Sequence, residues 1–177
     1  MDLEEFSQTA QKKFNLGAAI RIRPPLGQYD NTKLLNLGAN RWAVKLSLAG
    51  SYAFTRNFTL EAHTNVWVFS ENFSFFIGNT LKQNPIITLQ MHGIYSFKPG
   101  IWTAISMGRS FMGETVLNGV PKDDSRDSWR YGAVFSYNLN RQHALKLAFT
   151  SGLSTRYGAD FTSVILAYQF MWFKNPI

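Results

Sequence analysis

Apolar and polar residues alternate with a period of two from Phe14 to the C-terminus, and no long stretch keeps the 3.6-residue spacing of a helix. In residues 42–54, Trp42, Val44, Leu46, Leu48, Tyr52 and Phe54 share one side of an extended strand, and Ala43, Lys45, Ser47, Ala49 and Ser51 the other. Residues 58–70 repeat the split: Phe58, Leu60, Ala62, Val66 and Val68 against Thr59, Glu61, His63, Asn65 and Trp67. Residues 86–97 set Ile87, Leu89, Met91, Tyr95 and Phe97 against Thr88, Gln90 and His92, and residues 129–139 set Trp129, Tyr131, Phe135, Tyr137 and Leu139 against Arg130, Ser136 and Asn138. Two more such runs, 143–153 and 161–173, carry Lys146 and Gln169 on their polar sides. The run 101–111 resists assignment, because Trp102 and Ile105 fall on opposite parities.

The pattern predicts an all-β, antiparallel chain of about eight strands, each about ten residues long, which is the length of a tilted membrane-spanning strand. Tight turns are expected at Thr55-Arg56-Asn57, Lys98-Pro99-Gly100 and Asn140-Arg141-Gln142, and long loops at 26–41, 71–85, 112–127 and 153–160. Short turns at one end and long loops at the other are the wiring of an outer-membrane β-barrel. Aromatics near strand ends (Trp42, Phe54, Phe58, Phe97, Trp129, Tyr137, Phe161, Tyr168, Phe170 and Trp172) suit two interfacial girdles. Residues 1–13 read as a polar lead-in or the end of a missing strand, and 14–177 as the barrel domain.

Composition narrows the partners. The 177 residues suit one domain, with 15% aromatics and a formal charge of +7. The basic residues are scattered through strands and loops and not clustered on one face, which argues against nucleic acid. There is no cysteine, hence no disulfide framework, thiolate metal site or cysteine nucleophile. No apolar run reaches the eighteen or so residues of a spanning helix, and no secretory apolar stretch follows Met1, so any signal peptide lies outside this sequence.

In a membrane barrel the polar sides turn inward. The candidate lumen and selectivity residues are then Arg21, Arg23, Lys45, Glu61, His63, Gln90, His92, Arg130, Lys146 and Gln169, mostly basic, with Glu61 available as counter-ion to Arg21 and Arg23. His63 and His92 invite a metal or general-base reading, but no carboxylate or third histidine stands at ligand spacing, so neither metal nor cofactor is expected. No catalytic Ser/His/Asp set or nucleotide motif is present, and the chain is not expected to be an enzyme. A loop motif holds Gly27, Tyr29, Asp30, Asn36, Gly38, Asn40, Arg41 and Trp42. It serves either to bind solute or simply to build the loop, with positive φ at Gly27 and Gly38, interfacial anchors at Tyr29 and Trp42, and an Asp30–Arg41 pair.

The segments PPLGQYD (24–30), LLNLGANRWAVK (34–45), ENFSF (71–75), KQNPIITLQMHGIYSF (82–97), LNG (117–119) and STRYGADF (154–161) resemble, in order, the family of the MetA-pathway of phenol degradation, a group of outer-membrane transporters. The resemblance implies a barrel in the Gram-negative outer membrane for passive uptake of small aromatic or hydrophobic compounds, anionic ones included, with membrane lipid as the other partner. Family members are longer, start with a signal peptide and have further strands upstream, so the resemblance implies a C-terminal portion of a larger barrel. Eight strands alone would enclose little more than their own side chains. Two rivals remain: a truncated barrel fragment that does not conduct, and a soluble calycin-like barrel holding a small ligand. The second would turn the bulky apolar faces inward, where eight strands of them overfill the interior.

Overall fold

The computed structural model describes residues 13–155 and 161–172, with the backbone alone for 153–155. Most of the expected lead-in, residues 1–12, lies outside that range. Eight strands form one antiparallel sheet: β1 (Phe14–Arg23), β2 (Ala43–Ala53), β3 (Phe58–Phe69), β6 (Ile86–Lys98), β7 (Ile101–Met112), β10 (Arg126–Asn138), β11 (His143–Thr155) and β12 (Ser163–Phe170), in that spatial order. Each strand pairs with the next one up or down the sheet, and β1 and β12 are its two edges.

The register fixes the faces. The row Ala19–Ser47–Asn65–Thr88–Ser110–Ser128 crosses six strands on one side. The row Ile20–Leu46–Val66–Ile87–Phe111 crosses five on the other. The first face is polar or small, the second apolar, as the alternation predicts. Register also settles β7, whose parity was ambiguous: Trp102, Ala104, Ser106, Gly108 and Ser110 belong to the polar face, and Ile105, Met107, Arg109 and Phe111 to the apolar one. The sequence misleads there because each face carries one residue of the wrong character, Trp102 on the polar side and Arg109 on the apolar side.

Among the described residues nothing covers the apolar face. Apart from a contact between β3 and the short segment Asn79–Gln83, the described strands of this sheet contact only their in-sheet neighbours. Among the described residues the buried apolar ones are three alanines, Ala43, Ala104 and Ala144, while Ile20, Leu46, Leu89, Met107, Phe135 and Leu166 are all exposed. Covering one such side chain with an apolar medium is worth about 1.5–3 kcal/mol, so a whole face of them is untenable in water. At the turn end the face finishes in rings: Tyr52 and Phe54 are 4.7 Å apart, Tyr95 and Phe97 5.1 Å, Phe170 and Trp172 6.0 Å.

The three expected tight turns are present, and two are built by side chains that substitute for backbone partners. Thr55 Oγ1 accepts the amides of Asn57 and Phe58, and Asn140 Oδ1 those of Gln142 and His143. At the third, Gly100 has φ 81°, which favours glycine.

The loop end departs from expectation. The stretches 71–85 and 112–127 hold a second antiparallel sheet, in the order β4 (Asn72–Phe75), β5 (Asn79–Gln83), β8 (Thr115–Leu117) and β9 (Val120–Pro121). Strand β10 begins inside the expected loop, at Arg126, and β11 runs to Thr155, into the expected loop at 153–160. Strands of two to five residues are too short for alternation to reveal.

Candidate functional site

The large sheet's strands contain two carboxylates, Glu61 on the polar face and Asp127 on the apolar one. Against them the polar face sets Arg21, Arg23, Lys45, Arg126, Arg130 and Lys146, so it is strongly basic. Glu61 does not serve Arg21 and Arg23. It stands in register with Ser51, at the other end of β2 from Lys45, the partner of Arg21, and it lies 3.7 Å from His63. The expectation of that pairing overlooked the length of the strands, since residues on neighbouring strands meet only at matching register.

Aromatic rings take the place of carboxylates around four of these cations. Arg23 and Lys45 lie 5.6 and 5.7 Å from the centre of the Trp67 ring, Arg130 is 4.1 Å from that of Phe161, and Lys146 is 5.9 Å from that of Trp102. Such contacts hold a cation by the ring quadrupole while leaving its charge uncancelled. Phe161 is therefore engaged with a polar-face arginine and does not act as a girdle ring.

Midway along the face, His63 and His92 meet edge to face at 5.4 Å, and His92 Nδ1 is hydrogen-bonded to Ser106 Oγ at 2.7 Å. Among the described residues no three histidine, aspartate or glutamate side chains converge on a metal position. A groove of about 320 Å³ runs past Gln90, His92, Ser106, Arg130, Thr150 and Phe161. It has room because Gly108 and Gly132 carry no side chain on this face, a use of strand glycine that parity alone could have flagged. Gln169 lies at the β12 edge, in register with Ala144.

At the loop end of the face, the row Arg23–Ala43–Phe69 adjoins the row Arg21–Lys45–Trp67. Trp67 and Phe69 are nearly parallel, at 4°, with ring centres 6.2 Å apart. Arg41 reaches in from the β1–β2 loop and lies 4.4 Å from the centre of Phe69. Its Nη1 is buried without a hydrogen-bond partner. Burial, and then the nearby charge of Arg23, hold its proton affinity below that of an ordinary guanidinium. Asp30 is not its partner. That carboxylate accepts the hydroxyl and amide of Thr32 at 2.6 and 3.0 Å and pairs with Lys33 at 3.5 Å, and the Thr32 bonds hold its pKa below the usual range.

The rest of the loop motif is tied together by its own hydrogen bonds and close contacts. Asn36 Oδ1 accepts the Asp30 amide at 2.7 Å, and its Nδ2 donates back to Asp30 and Lys33 carbonyls. Gly27 and Gly38 are needed for close approach and not for positive φ: a Cβ on Gly27 would stand 2.9 Å from Gly38 Cα. Asn40, with φ 48°, donates to Asn72 Oδ1. Asn72, 1% exposed, donates to the hydroxyl of Tyr29 and the carbonyl of Ala39, and Tyr29 donates to the Ser74 carbonyl. Across the strand ends the Ser70 amide donates to the Trp42 carbonyl, and the Trp42 amide donates to Ser70 Oγ. Asn72 is thus the hub joining the first loop to the second sheet. It was missed because an asparagine in a polar loop carries no signal of its own.

Comparison with known proteins fits this geometry. The family model described as "Putative MetA-pathway of phenol degradation" matches residues 6–167. Among solved structures, the crystal structure of an outer membrane channel from Pseudomonas putida F1 superposes with a TM-score of 0.74 at 23% identity, over 89% of this chain and 59% of that one. The chain therefore spans less than two thirds of that channel's length. No curated protein matches the chain. Neither likeness is to an enzyme.

Proposed function

The chain belongs to the family of the MetA-pathway of phenol degradation, and from that premise we propose that its sheet is wall of an outer-membrane β-barrel, apolar face to lipid and basic face to the lumen, conducting small aromatic or hydrophobic solutes, anions among them. The observation that carries this reading is the contrast of the faces: one apolar across eight strands and uncovered among the described residues, the other polar and basic. An uncovered apolar face needs lipid, and a basic face needs water or anions. The second sheet and the three described long loops then lie outside the cell, and the short turns in the periplasm. The solute passes without making or breaking a bond.

The test is refolding of this chain into lipid vesicles, followed by heat-modifiable gel mobility and by release of a small anionic dye. A mobility shift with dye release supports a conducting barrel. A shift without release supports a closed, plugged barrel and removes conduction from the proposal. No shift means that strands β1 and β12 need further strands between them before a wall can close.

A further inference from the structure

The loop end of the basic face holds more charge than a passive lining needs. Arg23, Arg41 and Lys45 converge on the parallel rings of Trp67 and Phe69, with Arg21 one position along. Among the described residues no carboxylate lies within ion-pair distance of any of the four. Like charges gathered without a counter-ion repel one another, and an anion placed among them relieves that repulsion. Arg41 adds a second, independent sign, a buried Nη1 with a hydrogen to donate and nothing to accept it. Ala43, fully buried between Arg23 and Phe69 in the same row, has too little side chain to separate the cations from the rings.

We propose that this cluster is a binding station for an aromatic carboxylate at the outer mouth of the lumen, the carboxylate taken by Arg41, Arg23 and Lys45 and the flat ring lying against Trp67 and Phe69. The inference rests on the channel reading for its place in a pathway, though not for its chemistry. A hydrated inorganic anion would use the cations and leave the rings idle, and a neutral arene would do the reverse. Because rings and not carboxylates hold the cations, the incoming anion has no ion pair to break, so it can enter readily and leave again, as conduction requires. Arg130 on Phe161 and Lys146 on Trp102 offer further ring-held charge deeper along the face.

Benzoate is the probe, titrated by ligand-observed NMR into the full chain refolded in detergent micelles. Saturable binding is expected, at least tenfold weaker in Arg41→Gln and in Trp67→Leu, partly restored in Arg41→Lys, and unchanged within twofold in Arg56→Gln, an exposed cation in the tight turn at the opposite end of the strands. Acetate and phenol, each lacking half of the recognised chemistry, should compete at least tenfold less well. Arg41 lies outside the strands, and Phe69→Leu stands in for Trp67→Leu if the latter fails to shift on a gel. Equal affinity in Arg41→Gln, or acetate competing as well as benzoate, overturns the station. Dye release by vesicles without saturable benzoate binding removes the station and leaves the channel, whereas benzoate binding without dye release removes the channel and leaves the station.

Discussion

Arg109 and Arg130 stand side by side on neighbouring strands and face opposite ways, since Arg109 is in register with Trp129 and Arg130 with Gly108. Each lies about as close to a ring, Arg109 at 4.0 Å from the centre of Phe111 and Arg130 at 4.1 Å from that of Phe161. They differ in their counter-ion. Arg109, on the apolar face, donates Nε and Nη2 to the two oxygens of Asp127 at 3.0 and 2.7 Å. Arg130, on the basic face, has no carboxylate partner among the described residues. A charge turned toward lipid must be neutralised and its donors satisfied, because no water is there to do it. A charge turned toward a wet lumen can stay uncancelled and remain available to solute. The apolar face thus carries a fork-to-fork pair with no net charge, and the polar face carries its excess openly.

Breaking the pair on the lipid side should have the largest effect. Arg109→Leu or Asp127→Leu alone leaves one charge facing lipid near the loop-end rim, and each should cost about 1–3 kcal/mol of stability in a bilayer. The double variant Arg109→Leu/Asp127→Leu should recover to within about 0.5 kcal/mol of the parent, and Arg130→Leu should stay within about 0.5 kcal/mol as well. Urea titration of the vesicle-folded protein reads all four. A double variant as unstable as the worse single one would mean that the pair does not face lipid.

The next contrast is in transport and concerns the basic face alone. Lys45→Glu together with Lys146→Glu reverses two of its ring-held charges, a change of four units, and should abolish or invert an anion preference. In the proposed barrel both side chains look into water, so stability should move by no more than about 1 kcal/mol. Reversal potentials across a planar bilayer under a salt gradient give the answer. An unchanged potential would mean that these lysines do not line the conducting path.

The two arginines also mark how far the sequence could be read. Period-two alternation exposes which residues share a face, so the polar-face positions of Lys45, His63, Gln90 and Arg130 were legible, as were the tight turns at Thr55, Gly100 and Asn140. Alternation says nothing about register. Without register Glu61 looked free to pair with Arg21, and the Arg109–Asp127 pair was hidden: its arginine lay in a strand of mixed parity and its aspartate within an expected loop. The mouth cluster was half visible. Arg21, Arg23 and Lys45 stood out as cations on a polar face, but Arg41 was grouped with the loop, and only the fold brings it onto Phe69. The second sheet was invisible because its strands are held by paired loop backbones and by single side chains such as Asn72, not by an apolar stripe.

The smallest effect should come from the loop end, where a carboxylate does what Asp127 does for Arg109, but in water. Asp124 accepts the Thr115 amide at 2.6 Å and the Thr115 hydroxyl at 2.7 Å, which ties the start of β8 to the segment leading into β10. Burial pushes its pKa up, but the two bonds from Thr115, together with its own backbone amide and the charge of Arg126, leave the folded value below the ordinary 3.8. A carboxyl whose folded pKa is depressed stabilises the fold above its unfolded value, and that contribution fades as pH falls through the folded one. Hydrogen-exchange protection factors at residues 113–125 of the vesicle-folded protein, corrected for the pH dependence of intrinsic amide exchange, should therefore be high at neutral pH and fall below about pH 4. Asp124→Asn, which removes the titrating group, should show weaker protection already at neutral pH and a flatter response to acid. In the proposed barrel the Arg109–Asp127 pair is shielded by lipid, so the strand ends around it should keep their protection over the same range. If both regions loosened together, the loop-end carboxylate and the lipid-face pair would belong to one cooperative unit, and the contrast between wet and dry charges would not govern how this fold responds to pH.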